Sequence, residues 1–186
     1  MHAQSNRRNL EIKVKCQPDD LDDLLIRSHQ LTCAPIERLH QIDTYVEVPK
    51  GRLKLREIRA VEAKDVVVRA ELIAYARVDE EGSRWSTYEV VPIAAEHASA
   101  MLRALLLNHR ERVRIDKVRH VGLIGQTRVH LDRVEGLGAF VELETVVGIQ
   151  GDDAAGREHQ EVIAALALDR FPSVAGSYSD LALAAE

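Results

Sequence analysis

Strict two-residue alternation is the feature that most constrains this chain. Over residues 10–16, Leu10, Ile12, Val14 and Cys16 share one parity, and Glu11, Lys13 and Lys15 share the other. A β-strand turns successive side chains to opposite faces, so this segment makes a ribbon with one apolar and one charged side. Residues 52–58 repeat the pattern, with Leu53 and Leu55 set against Arg52, Lys54 and Arg56. Further strands are predicted over residues 39–48, 66–78, 84–91, 113–124, 127–134 and 139–147, several of them rich in Val and Ile. Turn chemistry separates most of them: Pro49-Lys50-Gly51, Asp79-Glu80-Glu81-Gly82, Gly125-Gln126 and Glu135-Gly136-Leu137-Gly138. A helix is predicted after Gln17, with Pro18 in its first turn and Asp19 and Asp20 at its positive end, running to about residue 30. Two more are predicted over 94–108 and 157–169, with 148–156 as a loop and 177–184 as a short final helix. Strands joined by tight turns run antiparallel. The expected fold is therefore α+β: an eight-stranded, mainly antiparallel β-barrel with flanking helices, formed as one domain over residues 1–186.

Composition narrows the partners. Apolar residues make up 46% of the chain, enough for a folded core. The net charge is −5, so the basic footprint of a duplex nucleic-acid binder is absent, and the short basic stretch 110–119 does not supply one. With two Phe, four Tyr and one Trp, a stacking platform for single strands is not expected either, and Trp85 is assigned to the core. Cys16 and Cys33 are too few for a disulfide framework or a zinc finger and fit a reducing compartment. The apolar stretch 101–107 contains Arg103 and falls far short of the roughly 18–20 residues of a membrane span. The polar start of the chain lacks an apolar signal core. A cytoplasmic protein without membrane attachment is expected.

The polar faces carry the chemistry. Their cations are Lys13, Lys15, Arg52, Lys54, Arg56, Arg77, Lys117, Arg119 and Arg128; their carboxylates are Glu11, Asp132, Glu142 and Glu144, with His130 among them. This is a local excess of positive charge in an acidic protein, and a concentrated single-sign field calls for an anion. Closing the sheet turns one face inward. A lumen of Lys and Arg with a few carboxylates suits a polyphosphate and its divalent metal, because Arg and Lys hold phosphate oxygens and carboxylates hold Mg²⁺ or Mn²⁺. The alternative is an outward, solvated charged face, which would require the apolar faces to form a closed core by themselves. Taken singly, Glu142 and Glu144 read as a solvated edge and His130 as structural. His29, His40, His97, His109, His120 and His159 show no metal spacing, and there is no HExxH, P-loop, dinucleotide turn or serine elbow.

Several stretches, in order, resemble the CYTH family of triphosphate-tunnel enzymes, which includes class IV adenylyl cyclase and thiamine triphosphatase. The first is Arg8-Asn9-Leu10-Glu11-Ile12-Lys13-Val14-Lys15. Gln41-Ile42-Asp43-Thr44-Tyr45 and Gly51-Arg52-Leu53-Lys54-Leu55-Arg56-Glu57 follow, then Ile73-Ala74-Tyr75-Ala76-Arg77 and Lys117-Val118-Arg119. Two long matches are Gly125-Gln126-Thr127-Arg128-Val129-His130-Leu131-Asp132 and Gly136-Leu137-Gly138-Ala139-Phe140-Val141-Glu142-Leu143-Glu144. The last, Ser177-Tyr178-Ser179-Asp180-Leu181, is similar to the tail of the adenylyl-cyclase-like branch.

The resemblance implies an eight-stranded tunnel, a triphosphate-containing small molecule as substrate (ATP, thiamine triphosphate or inorganic triphosphate) and Mg²⁺ or Mn²⁺ as cofactor. It implies phosphate binding by Lys15, Lys54, Arg56, Arg77, Lys117, Arg119 and Arg128, and the positive charge of Lys13 is expected to join them. Metal binding would fall to Glu11, Glu142 and Glu144, with Asp132 and Lys117 nearest the reacting atoms. A homodimer is compatible with it. One departure stands out: the family's first strand usually reads E-x-E-x-K, and here the second acid is Lys13, which removes a metal ligand and adds a positive charge. Three activities remain open: a cyclase making cyclic AMP and pyrophosphate from ATP, a triphosphatase, or a non-catalytic polyphosphate or nucleotide binder.

Overall fold

A computed structural model describes residues 7–32, 34–149 and 151–185. Cys33 and the first six residues, read above for redox and targeting signals, lie outside the described residues. Eight strands form a closed barrel in the order β1-β5-β4-β3-β2-β6-β7-β8, every pairing antiparallel. They are β1 Arg7–Cys16, β2 Glu37–Val46, β3 Arg52–Arg59, β4 Val67–Arg77, β5 Arg84–Ile93, β6 Glu111–Ile124, β7 Thr127–Val134 and β8 Gly138–Val146. Four helices flank them: α1 Pro18–Leu31, α2 Ala98–Leu106, α3 Gly151–Ala165 and α4 Tyr178–Ala185.

The parity read from sequence decides what faces where. Glu11 and Lys13 of β1, Arg128 and His130 of β7, and Glu142 and Glu144 of β8 point into the barrel, while Arg8 and Arg133 point out. The apolar alternates Val14, Cys16, Val129, Leu131, Val141 and Leu143 point outward, beneath Leu21 and Leu24 of α1 and Val162 and Ile163 of α3. The main core therefore lies between barrel and helices rather than inside the barrel. Leu24 and Leu166 are fully buried there, each worth roughly 1.5–3 kcal/mol of transfer free energy. α1 starts as expected: the Gln17 backbone N–H donates to Asp20, Pro18 occupies the first turn, and Asp19 and Asp20 lie at the positive end.

A second apolar cluster closes one end of the lumen. Tyr45, Ile115, Val134 and Phe140 point inward at that end and pack against Tyr178 of α4, whose ring meets Phe140 edge-on at 5.1 Å. The chain reaches this position because β5 pairs with β1 only as far as Glu11. Beyond it, the Val174 N–H donates to the Lys13 carbonyl and the Lys15 N–H to the Pro172 carbonyl, so residues 172–174 continue the ladder.

Three expectations are corrected. α3 begins at Gly151 rather than 157, because Asp152 and Asp153 sit favourably in its first turn; Gly151, which has φ +78°, and Gly156 had suggested a loop. The segment 94–97 is mostly a single 3-10 turn before α2. Trp85 lies on the outer face of β5, 38% exposed, with the Arg8 guanidinium 4.7 Å from its ring centroid.

Candidate active site in the barrel lumen

The lumen holds a cavity of about 400 Å³. It is lined by Glu11, Lys13, Lys54, Arg56, Arg77, Lys117, Arg119, Arg128, His130, Glu142 and Glu144, which the sequence had placed on the polar parity. Closure brings them together from six strands. Lys15 is not among the lining residues: it sits exposed at the closed end, its ammonium 5.6 Å from the Phe140 ring centroid. Arg52 also stays outside the cavity, pairing with Asp79 and with Asp180 of α4 at 2.7 Å.

One group of charges centres on Asp43. Lys54 Nζ and Lys117 Nζ donate to its Oδ2 at 2.8 and 2.7 Å, and Arg56 donates to both oxygens at 2.7 and 2.9 Å. Burial works to raise the Asp43 carboxyl, but Arg56, Lys117 and Lys54 outweigh it and hold the group well below the usual range. Burial pushes Lys117 down to about 7, against the pull of Asp43, because Arg56, Arg119 and Lys54 already crowd the same carboxylate with positive charge.

A second group joins Asp132 and Glu142. Arg119 grips Asp132 with two parallel hydrogen bonds of 2.7 and 2.6 Å and reaches Glu142 at 3.2 Å. The Tyr178 hydroxyl donates to Asp132 at 2.7 Å. Glu142 also lies 3.7 Å from Lys13 and 3.8 Å from Arg77. Burial again works to raise its carboxyl, but Lys13, Arg119 and Arg77 prevail and hold it well below the usual range. Lys13 points inward, as its parity requires. Its ammonium donates to the Gly176 carbonyl at 3.2 Å and lies 4.2 Å from the Tyr178 ring centroid, and burial lowers it to about 8. Arg77 donates to the same carbonyl at 2.7 Å and pairs with Glu11.

The third group faces the open part of the lumen. Glu144 pairs with Arg128 at 3.0 Å and stands opposite Glu11 across the β1–β8 ladder. His130 and Glu142 stand opposite one another on β7 and β8. Among the described residues, His130, Glu142 and Glu144 form a set whose ligand atoms all lie within 4.8 Å of one another. Asp132 is fully buried behind Arg119 and does not line the cavity. The expected excess of positive charge is largely answered within the lumen, because Asp43 and Glu71 join the carboxylates read from sequence.

Sequence reasoning missed Asp43. β2 carries Leu39, Gln41, Asp43 and Tyr45 inward and His40, Ile42, Thr44 and Val46 outward, a mixture on each face that gives no alternation to read. It also missed Tyr45, Tyr75, Tyr88 and Tyr178 as lumen residues and Gly176 as a carbonyl acceptor.

A closed antiparallel barrel with a buried, ion-paired lumen defines the class of a triphosphate tunnel. The chain belongs to the CYTH domain family, whose model matches residues 7–178. Among solved structures it is similar to a conserved hypothetical protein from Pyrococcus furiosus, with 23% identity over 93% of this chain and 99% of that one, at a TM-score of 0.72. It is also similar to a protein from Vibrio parahaemolyticus provisionally named an adenylate cyclase, with 18% identity over 97% and 99% of the two chains, at a TM-score of 0.66. A third is from Hippeastrum, provisionally named an adenylyl cyclase and described as having a dominant triphosphatase activity. It shares 13% identity over 95% and 94% of the two chains, at a TM-score of 0.62. At these identities the likeness is one of fold. No curated protein matches the chain. Among the described residues, no helix is long and apolar enough to cross a membrane.

Proposed function

We propose that the protein binds a triphosphate in its lumen together with a divalent cation and acts on it as a class IV adenylyl cyclase-like enzyme, turning ATP into cyclic AMP and pyrophosphate. The observation that carries this reading is the convergence of Lys13, Lys54, Arg56, Arg77, Lys117 and Arg119 on one buried cavity, each steered by a carboxylate. Those carboxylates supply to the lumen cations the negative charge that phosphate oxygens would supply to them in a complex.

The residues present fit a divalent cation. Glu142 and Glu144 reach one locus with His130, and the buried Nδ1 of His130 has no hydrogen-bond partner. Glu142 and Glu144 would hold Mg²⁺ or Mn²⁺ with Glu11 opposite, and the ion would neutralise charge developing on the phosphoryl oxygens. Arg119, Arg56, Lys54 and Arg77 bind and orient the triphosphate, with Arg128 at the wider part of the lumen and Lys13 at the closed end. Lys117, buried and lowered to about 7, holds a proton it can lend to a leaving phosphate oxygen. Asp132, ionised and gripped at both oxygens, aims Arg119 rather than accepting a proton. Tyr178 and Phe140 keep water out at the closed end. A cytoplasmic location fits a nucleotide substrate.

Hydrolysis of the terminal phosphate, on thiamine triphosphate or inorganic triphosphate, is the second reading. It is favoured by the triphosphatase activity described for the Hippeastrum protein. The protein incubated with ATP, thiamine triphosphate or triphosphate, each with Mg²⁺ and Mn²⁺, is expected to release cyclic AMP and pyrophosphate from ATP. Orthophosphate alone would establish the hydrolase. Tight binding with no metal-dependent product would leave only a binding module.

A further inference from the structure

Among the described residues three histidines are buried: His40, which pairs with Asp116 through Nε2, and His130 and His159, which differ in kind. His159 of α3 has both ring nitrogens bonded: Nδ1 with the Thr145 hydroxyl at 2.8 Å and Nε2 with the Ser83 hydroxyl at 3.1 Å. It ties α3 to the barrel. His130 is 5% exposed and points into the lumen, yet its Nδ1 is buried without a hydrogen-bond partner. Its nearest carboxylate oxygen, on Glu144, is 3.8 Å away, too far for a hydrogen bond. An unpaired buried polar atom raises the free energy of the fold unless something else satisfies it.

The surroundings identify that something. One ligand atom each from His130, Glu142 and Glu144 lies within 4.8 Å of the other two. Two atoms bound to one ion at about 2.0–2.2 Å sit roughly 3–4 Å apart, so the spacing suits a shared cation with little rearrangement. Glu11, assigned to the metal from sequence, is instead paired with Arg77. Glu11 does not belong to the convergent set, in which His130 takes the third position.

We infer that His130 supplies a nitrogen ligand to the divalent cation held by Glu142 and Glu144, making a mixed nitrogen–oxygen centre that favours a first-row transition ion such as Mn²⁺ or Co²⁺ over Mg²⁺. Imidazole binds such ions well, whereas Mg²⁺ demands oxygen ligands in near-ideal octahedral geometry. The inference rests on the reading of the lumen as a metal-assisted triphosphate site.

The test uses the full chain and Mn²⁺ alone, followed by pulsed electron paramagnetic resonance. Mn²⁺ bound to the native protein is expected to show nitrogen modulation that shifts when the histidines are isotope-labelled. His130 is the only histidine among the residues lining the cavity. In His130→Leu the modulation is lost, and Mn²⁺ affinity falls about tenfold or more while Mg²⁺ affinity changes far less. Circular dichroism confirms the variant's fold, and the labelled native protein decides the matter even if the variant does not fold. Mn²⁺ bound without nitrogen modulation, or modulation persisting in a folded His130→Leu, overturns the histidine ligand and leaves the tunnel reading standing. A native protein that binds neither Mn²⁺ nor Mg²⁺ overturns both.

Discussion

Lys13 and Glu142 face each other across the β1–β8 ladder, the ammonium 3.7 Å from the carboxylate. Arg119 and Arg77 approach the same carboxylate at 3.2 and 3.8 Å, so one acid answers three buried cations. The lumen is thus an ion-pair network. On the proposed function, substrate binding would be an exchange, in which phosphate takes cations that carboxylates release and a metal takes the carboxylates.

Glu142 and Glu144 are expected to differ in stability while sharing a functional role. Glu142→Gln leaves Lys13, Arg77 and Arg119 buried without their common partner and should cost about 3–5 kcal/mol. Glu144, one-fifth exposed and paired with partly exposed Arg128, should cost at most about 1 kcal/mol when changed to Gln. Chemical denaturation of the two single variants checks this, with the double variant expected to lose at least about a hundredfold in activity. Equal stability losses would mean that Glu142 is not the network's centre.

Metal and triphosphate should bind cooperatively, because each frees the groups the other needs. Calorimetry with Mn²⁺ and a non-hydrolysable ATP analogue should show each tightening the other by the same factor, about 5–150-fold for an ordinary coupling. Independent binding would show that the ion pairs do not exchange.

Lys13→Glu puts a second acid beside Glu142 in a buried site. Without metal this variant should melt below the native protein, since like charges are then buried together. Added Mn²⁺ should raise its melting temperature more than the native protein's, by mass action on a stronger site. Mn²⁺ titrations followed by melting would refute this if both proteins shifted equally.

Lys117 sets a pH dependence of definite sign. The unfolded chain keeps this proton to about 10.5 and the folded chain only to about 7. Between those values the unfolded state binds more protons, so this group makes stability rise with pH. Native melting temperatures should therefore gain on those of Lys117→Met from pH 7 to 9.5. Triphosphate affinity should move the other way, strengthening as pH falls through 7 and Lys117 gains charge.

His159 acts on the acid side. Burial lowers it from 6.5 to about 4, so the stability it confers is complete above pH 6.5 and lost as pH falls towards 4, a change on the order of 1–3 kcal/mol. His159→Phe should flatten that limb of the stability curve, and a curve unchanged by the substitution would remove the group from the acid transition.

Much of the site was legible in the sequence. Lys54 with Arg56, Lys117 with Arg119, Arg128 with His130, and Glu142 with Glu144 are each two residues apart, and all line the cavity. The period of the sequence is the period of the pleat, so facing is a local property of the backbone. β2 shows the limit: with polar and apolar side chains on both faces, its pattern hid Asp43.

Alternation along the sequence determined which side chains turn inward together, and hence that closing the sheet would gather lysines, arginines and carboxylates in one lumen. Partners were decided only by tertiary structure. Asp43 meets Lys117 from 74 residues away, Tyr178 meets Asp132 from 46, and the Gly176 carbonyl meets Lys13 from 163. Those encounters depend on strand order, on register and on where residues 172–174 continue β1. The physical reason is that a strand's parity follows from its own dihedral angles, whereas the partner of a buried charge is set by closure of the whole barrel.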